Sequence, residues 1–194
     1  GFLMAFSFGL RWKNIAMMLL VLLPGVYYLI QEPYRWSRIE SFLDPWADPM
    51  GRGFQVIQSL LSYRSGGLLG AGLGQSQGKL FFLPEAHTDF TLAVLAEELG
   101  FIGFFVLLVF YGFLIFQGVR LALRCEKDFD RACVLGLILV FALQVFINIS
   151  VTLGLLPTKG LTLPFLSYGG SSLLCTFLLF GWLLSADRSR SRAR

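Results

Sequence analysis

The chain has 194 residues, of which 56% are hydrophobic and only 14% charged, with a mean hydropathy of +0.70. That balance excludes an ordinary soluble domain, and the net charge of +4 is too unevenly placed for a nucleic-acid surface. Basic residues gather at Arg11 and Lys13, at Arg120, Arg124, Lys127 and Arg131, and at Arg188, Arg190, Arg192 and Arg194, ten of the sixteen in all.

Those clusters bracket apolar runs at 15–30, 99–119, 132–150 and 171–185. A helix that crosses a bilayer core needs roughly 20 apolar residues, about 17 at the short end. The pattern predicts an all-α polytopic membrane protein, with 1–194 forming part of a single membrane domain. Its four transmembrane helices are expected at about 14–30, 89–124, 132–153 and 168–186. The positive-inside rule puts the basic clusters and both termini in the cytoplasm, which makes the 31–88 loop extracytoplasmic. The Arg-Ser tail reads as a topology anchor touching anionic membrane lipids, not as a nucleic-acid arm. Cys125, Cys133 and Cys175 have no zinc spacing and imply no disulfide framework. Gly1 is not a start methionine and no small-residue cleavage site follows Ile30, so the chain reads as the C-terminal part of a longer membrane protein.

In helix 14–30, Pro24-Gly25 predicts a kink, since neighbouring helices can satisfy the freed carbonyl. The loop after it opens with Tyr34, Trp36 and Trp46, which suit the lipid headgroup level, and with turn starts at Asp44-Pro45 and Asp48-Pro49. Across 53–64, Phe54, Ile57, Leu60 and Leu61 recur at helical spacing. This is an amphipathic helix, either lying on the membrane or packed on the protein. Six glycines follow in 66–78. Gly70-Ala71-Gly72-Leu73-Gly74 lacks the dinucleotide spacing, and the run from Gly74 to Lys79 is one residue short of a P-loop. What remains is a backbone that can approach a ligand closely, or a flexible loop. Leu80-Phe81-Phe82-Leu83 reads as a segment at the lipid interface.

Charge then concentrates. Glu85, His87, Asp89, Glu97 and Glu98 fall within fourteen positions and include the only histidine. Such a cluster at the mouth of a membrane helix is costly unless solvated or paired. Thr88 and Asp89 both cap helices well, so Asp89 is either a cap or a reacting carboxylate. Helix 89–124 would be on the order of 50 Å long against a core of about 30 Å. Glu97 and Glu98 should therefore stand at or above the outer surface. On the following helix, Gln144 and Asn148 share one face, which reads as interhelical hydrogen bonding. The segment 154–167 is apolar yet broken by Pro157, Pro164 and two glycines, and it carries Lys159. Irregular backbone at membrane depth is tolerated only where it is buried in protein or lines a polar cavity. Lys159 is then either a functional cation or one that snorkels to the surface.

Two stretches resemble the signatures of the SEDS proteins (shape, elongation, division and sporulation). One is Leu83-Pro84-Glu85-Ala86-His87-Thr88-Asp89-Phe90 with Ala96-Glu97-Glu98-Leu99-Gly100. The other is Gly154-Leu155-Leu156-Pro157-Thr158-Lys159-Gly160-Leu161-Thr162-Leu163-Pro164 with Ser167-Tyr168-Gly169-Gly170-Ser171-Ser172. Asp44-Pro45, Asp48-Pro49 and Gly66-Gly67 extend the match along nearly the whole chain. Ala86 and the 72–75 run bring it closest to the division branch.

The resemblance implies a ten-helix fold, with this chain as its last four helices, in the bacterial inner membrane at the division septum. It also implies a peptidoglycan glycosyltransferase that polymerises lipid II and releases undecaprenyl diphosphate. Asp89 would be the catalytic general base, with Lys159, His87, Glu85, Arg52, Lys79, Ser167 and Ser171 in substrate binding. Lys159 is the best-placed cation for the diphosphate, with Arg52 and Lys79 behind it. A divalent cation, Mg2+ or Mn2+, could share that task, although no metal-ligand set is visible. The implied partners are a class B penicillin-binding protein and other divisome membrane proteins. Two rival readings are a lipid II flippase or other transporter and a non-catalytic divisome scaffold.

Overall fold

The structure, a computed structural model, describes residues 13, 16–17, 20–25, 40, 42–51, 53–76, 88–158 and 160–192. Among the described residues the regular structure is helical throughout. A 3-10 turn at Pro45–Ala47 precedes α1 (Phe54–Gly66), α2 (Thr91–Leu123), α3 (Asp128–Thr152) and α4 (Gly170–Arg192). Of the expected helix 14–30, residues 16–17 and 20–25 are described, and all are helical. Its remainder and the 80–83 stretch lie outside the described residues.

Helices α2 and α3 are long and apolar enough to cross a membrane, with mean hydropathies of 2.6 and 2.5. On α2, Phe101, Phe105, Phe110, Phe113 and Phe116 are each more than half exposed. A soluble protein rarely leaves so large an apolar patch uncovered. This is the lipid-facing surface of an integral membrane protein. Inward, Tyr111 and Ala122 of α2 meet Val134, Ile138, Phe141 and Val145 of α3 in one buried cluster. Gly118 lets the two helices close, since a Cβ there would meet Ile138 Cδ1 at 2.4 Å. Helix α4 joins through Phe180, whose ring centroid lies 5.1 Å from that of Phe141 and 5.2 Å from that of Phe165.

Helix α1 packs on the protein. It buries Val56, Ile57, Ser59, Ser62 and Gly66, while Leu60 and Leu61 are exposed. The Ser59 hydroxyl donates to the Thr152 carbonyl at 2.6 Å, and the Tyr63 hydroxyl pairs with Thr152 Oγ1 at 3.1 Å. Gly66 backs onto α2 so closely that a Cβ would meet the Ala96 carbonyl oxygen at 2.1 Å. Small and hydroxyl-bearing residues form this contact because its partners are the backbone of α2 and the end of α3. Burial pushes the Tyr63 hydroxyl up to about 12, so it stays protonated for its bond.

Helix α2 is not one uninterrupted rod. Gly100 takes φ 69° and ψ −169°, which breaks the ladder at the level of Glu97 and Glu98. The glycine-rich loop enters the gap. Ala71 and Gly72 N–H donate to the Glu97 and Glu98 carbonyls at 3.0 and 3.1 Å, and Phe101 and Ile102 N–H donate to the Gly67 and Leu68 carbonyls at 2.9 and 3.3 Å. Two helical bonds are thus exchanged for four bonds to the loop. The approach needs bare backbone: a Cβ on Gly100 would meet Gly70 N at 2.3 Å, and one on Gly70 would meet the Glu98 carbonyl oxygen at 2.2 Å. Glu97 is buried and accepts from the Ser76 hydroxyl at 2.6 Å. It ties down the loop.

The Gly100→Ala variant is expected to melt well below the wild type. An alanine in this glycine-only region costs about 1–3 kcal/mol before the clash with Gly70 is counted. Thermal unfolding of the full-length protein in detergent checks this, and an unchanged midpoint would mean that the break is not constrained.

Candidate functional site

Helix α3 ends in a glycine cap. Gly154 turns to φ 69°, its N–H donates to Val151 O at 3.0 Å, and Leu155 N–H donates to Ser150 O at 2.7 Å. This is the double hydrogen bond of a Schellman motif, and it releases the chain into the irregular segment that ends at α4. Backbone groups held away from water need partners. Here the side chains of α2 and α3 supply them. Asn148 Nδ2 donates to the Leu161 carbonyl at 2.6 Å, Gln144 Nε2 to that of Thr162 at 2.9 Å, and Tyr111 OH to that of Pro164 at 2.5 Å. Leu163 N–H donates to the Ser167 hydroxyl at 2.8 Å, closing a turn in which Phe165 adopts φ 68°. Gln144 and Asn148 therefore bind this segment and not a neighbouring helix, which corrects the expectation of interhelical bonds. Tyr111 follows Gly100 by eleven residues, about 16 Å along the helix, so the segment reaches well into the apolar zone.

Asp89 belongs to the same assembly. The Nδ2 that holds Leu161 also donates to the Asp89 backbone carbonyl, at 3.1 Å. Asn148 is 2% exposed, so a single buried amide ties the residues ahead of α2 to the irregular segment. Its Oδ1 is buried and accepts no hydrogen bond. The Asp89 carboxylate faces the segment from the other side: a Cβ built on Gly160 would lie 3.5 Å from Oδ2. The backbone next to Lys159 thus runs past the carboxylate at ordinary contact distance. Asp89 is not the N-cap residue of α2. The cap position is Phe90, without a side-chain cap bond, and Thr91 donates its hydroxyl to the Thr88 carbonyl at 3.3 Å.

One turn further, a cavity of about 440 Å³ is lined by Thr91, Phe165, Leu166, Ser167, Tyr168 and Leu173. Its walls are mostly apolar with a few hydroxyls, a surface suited to an amphiphile. A half-buried carboxylate in this setting can accept a proton from a hydroxyl brought against it.

Of the expected site residues, the structure brings Asp89 against the segment that carries Lys159. Ser167 is buried and lines the cavity, with its hydroxyl accepting from Leu163. Ser171 is exposed on the first turn of α4, and it is Ser172 whose hydroxyl accepts from Thr162, at 2.7 Å. Arg52, Lys79, Glu85, His87 and Lys159 lie outside the described residues. Among the described residues no three His, Cys, Asp or Glu side chains gather as a metal group would. Tyr111 was missed by the sequence reading. Its signal was present, as the one hydroxyl in the apolar run 101–116.

The chain matches the FtsW/RodA/SpoVE model, described as cell cycle protein, over residues 1–192. It is 48% identical over 186 residues to the probable peptidoglycan glycosyltransferase FtsW of Geobacter metallireducens, covering 95% of this chain and 50% of that protein. It is 47% identical over 186 residues to the stage V sporulation protein E of Bacillus subtilis, covering 95% and 51%. The chain thus spans about half the length of the curated relatives it matches. Among solved structures it resembles a chain of a peptidoglycan synthase complex that coordinates polymerization and crosslinking, with a TM-score of 0.75 and 34% identity over 97% of this chain and 53% of that one. It also resembles the rod shape determining protein RodA of Thermus thermophilus, with a TM-score of 0.55 and 31% identity over 93% of this chain and 58% of that one.

Proposed function

We propose, because this chain belongs to the FtsW/RodA/SpoVE family of cell cycle proteins, that the protein carrying it is a peptidoglycan glycosyltransferase polymerising lipid II in the bacterial inner membrane. The observation that carries the reading is Asp89, a half-buried carboxylate lying against Gly160 on the segment that carries Lys159, near a cavity with mostly apolar walls. The names of the glycosyltransferase relatives support it. In this reading Asp89 takes the proton of the attacking sugar hydroxyl as that oxygen bonds to the anomeric carbon of the second substrate. The bond from that carbon to the diphosphate breaks, and Lys159 balances the charge left on the departing diphosphate. Arg52 and Lys79 are the next candidates for that charge after Lys159, and His87, Glu85, Ser167 and Ser171 are the further residues proposed for substrate binding.

The described residues do not by themselves make a cage for a divalent cation. A class B penicillin-binding protein is the proposed partner, and relatedness to a chain from a peptidoglycan synthase complex supports it. Septal division is the proposed setting, with sporulation a second reading because the FtsW and stage V relatives match almost equally. A flippase is disfavoured by the runs 101–119 and 132–152, which hold no Asp, Glu, Lys, Arg or His.

The test is polymerisation of purified lipid II by the full-length protein with its cognate penicillin-binding protein. Glycan strands are expected, and lipid II translocation without polymer would favour the transporter. In the same assay Lys159→Ala is expected to lose about tenfold in turnover at limiting lipid II, the worth of one charge-assisted bond. Unchanged turnover would leave Lys159 a snorkelling residue.

A further inference from the structure

At the far end of α2 from Asp89, a cavity of about 340 Å³ opens between α2 and α4. Its α2 wall holds Leu114, Gln117, Gly118, Arg120, Leu121 and Arg124, among which Leu114, Gln117, Arg120 and Arg124 are spaced three, three and four residues apart and so share one helix face. The polar groups of that wall lie toward its far end, a neutral amide followed by two guanidinium groups, while Leu114 and Leu121 keep it partly aliphatic. The α4 wall, with Phe180 and Leu184, is apolar. Among the described residues neither Arg120 nor Arg124 has a carboxylate partner, and the one ion pair there is Arg131 with Asp128.

This arrangement matches one class of molecule. From Leu114 to Arg124 is about 15 Å along the axis, half of a hydrocarbon core of about 30 Å. An anionic phospholipid of the cytoplasmic leaflet presents the same order over the same length: acyl chain, ester and glycerol region, phosphate. We propose that the α2–α4 cleft is a binding site for one anionic phospholipid. Arg120 and Arg124 hold its phosphate, Gln117 faces its ester region, and an acyl chain lies between Leu114, Phe180 and Leu184. A free phosphate would use the arginines but leave the apolar walls uncovered, so the cleft favours the lipid. The site is separate from the Asp89 assembly and independent of the proposed polymerase activity.

Native mass spectrometry of the full-length protein, titrated with phosphatidylglycerol or phosphatidylcholine, tests this. The wild type should retain one phosphatidylglycerol in preference to phosphatidylcholine, and inorganic phosphate should not displace it. Juxtamembrane arginines contribute about 1 kcal/mol each, so Arg120→Gln with Arg124→Gln should weaken retention roughly thirtyfold. Leu184→Trp, which fills the apolar wall and leaves both charges, should also expel the lipid. Lys127→Gln, a basic residue outside the cleft, should retain it. Melting midpoints near wild type will show that the variants are folded. The proposal fails if the double arginine variant binds like wild type, or if Lys127→Gln is as damaging, which would mean diffuse surface charge. It fails too if phosphate competes, or if the wild type retains no lipid because the rest of the full-length protein fills the cleft.

Discussion

Asp89→Asn in the full-length protein is expected to reduce lipid II polymerisation by about 10²–10⁴-fold, the usual contribution of a positioned acid–base group. The substitution keeps the shape of the side chain and its contact with Gly160, and removes its charge and its ability to take a proton. Two structural features make it a clean test. The N-cap of α2 is Phe90, without a side-chain cap bond, so no cap is lost. The Asp89 group that Asn148 holds is the backbone carbonyl, which the substitution leaves alone. Expression, melting midpoint and partner binding should stay near wild type, and electrophoresis of labelled glycan measures the loss. Glycan made at the wild-type rate would place the base elsewhere, and Glu85 would be examined next.

What could be read from the sequence follows from how local each signal is. Hydropathy is local, so the two strongest apolar runs announced α2 and α3. The partner of a residue is not local. Gly100 sits inside an apolar helical pattern, where an isolated glycine is tolerated and ambiguous. Its break becomes visible only when the loop from Gly67 to Gly72, some thirty residues earlier, is seen inserted there. The leucines of α1 followed helical periodicity, yet the buried face uses Ser59, Ser62 and Gly66, because it packs on backbone where small side chains allow approach. Gln144 and Asn148 were legible as a polar pair on one face. That their partners are the Thr162 and Leu161 carbonyls was not, since periodicity cannot foresee an irregular segment where another helix would lie. Capping propensity read from the residues alone favoured a cap role for Asp89 over chemistry, and the structure puts Phe90 at the N-cap position of α2.

Asn148→Leu is expected to lower turnover by about 10²-fold with Asp89 itself intact. One Nδ2 holds the Asp89 carbonyl at 3.1 Å and the Leu161 carbonyl at 2.6 Å, and so fixes the distance between the carboxylate and the backbone beside Lys159. Leucine fills the same volume but donates to neither. A displacement of about 1 Å at a reacting group is enough for a loss of that size. The same change leaves two carbonyls without this donor, at about 1–3 kcal/mol for each that stays buried and unsatisfied, so the midpoint should fall as well. Stability and positioning are separated by measuring kcat and KM well below the variant's melting range. A purely structural defect lowers the amount of active enzyme and recovers on cooling, whereas a misplaced base lowers kcat at every temperature and leaves KM for lipid II nearly unchanged. Asn148→Asp provides the second arm: it keeps the shape and Oδ1 but turns an ionised acceptor toward two carbonyls, and it should fare no better than leucine. Wild-type kcat in either variant would mean that the two segments hold their register without this amide, and the task would pass to Gln144 and Tyr111.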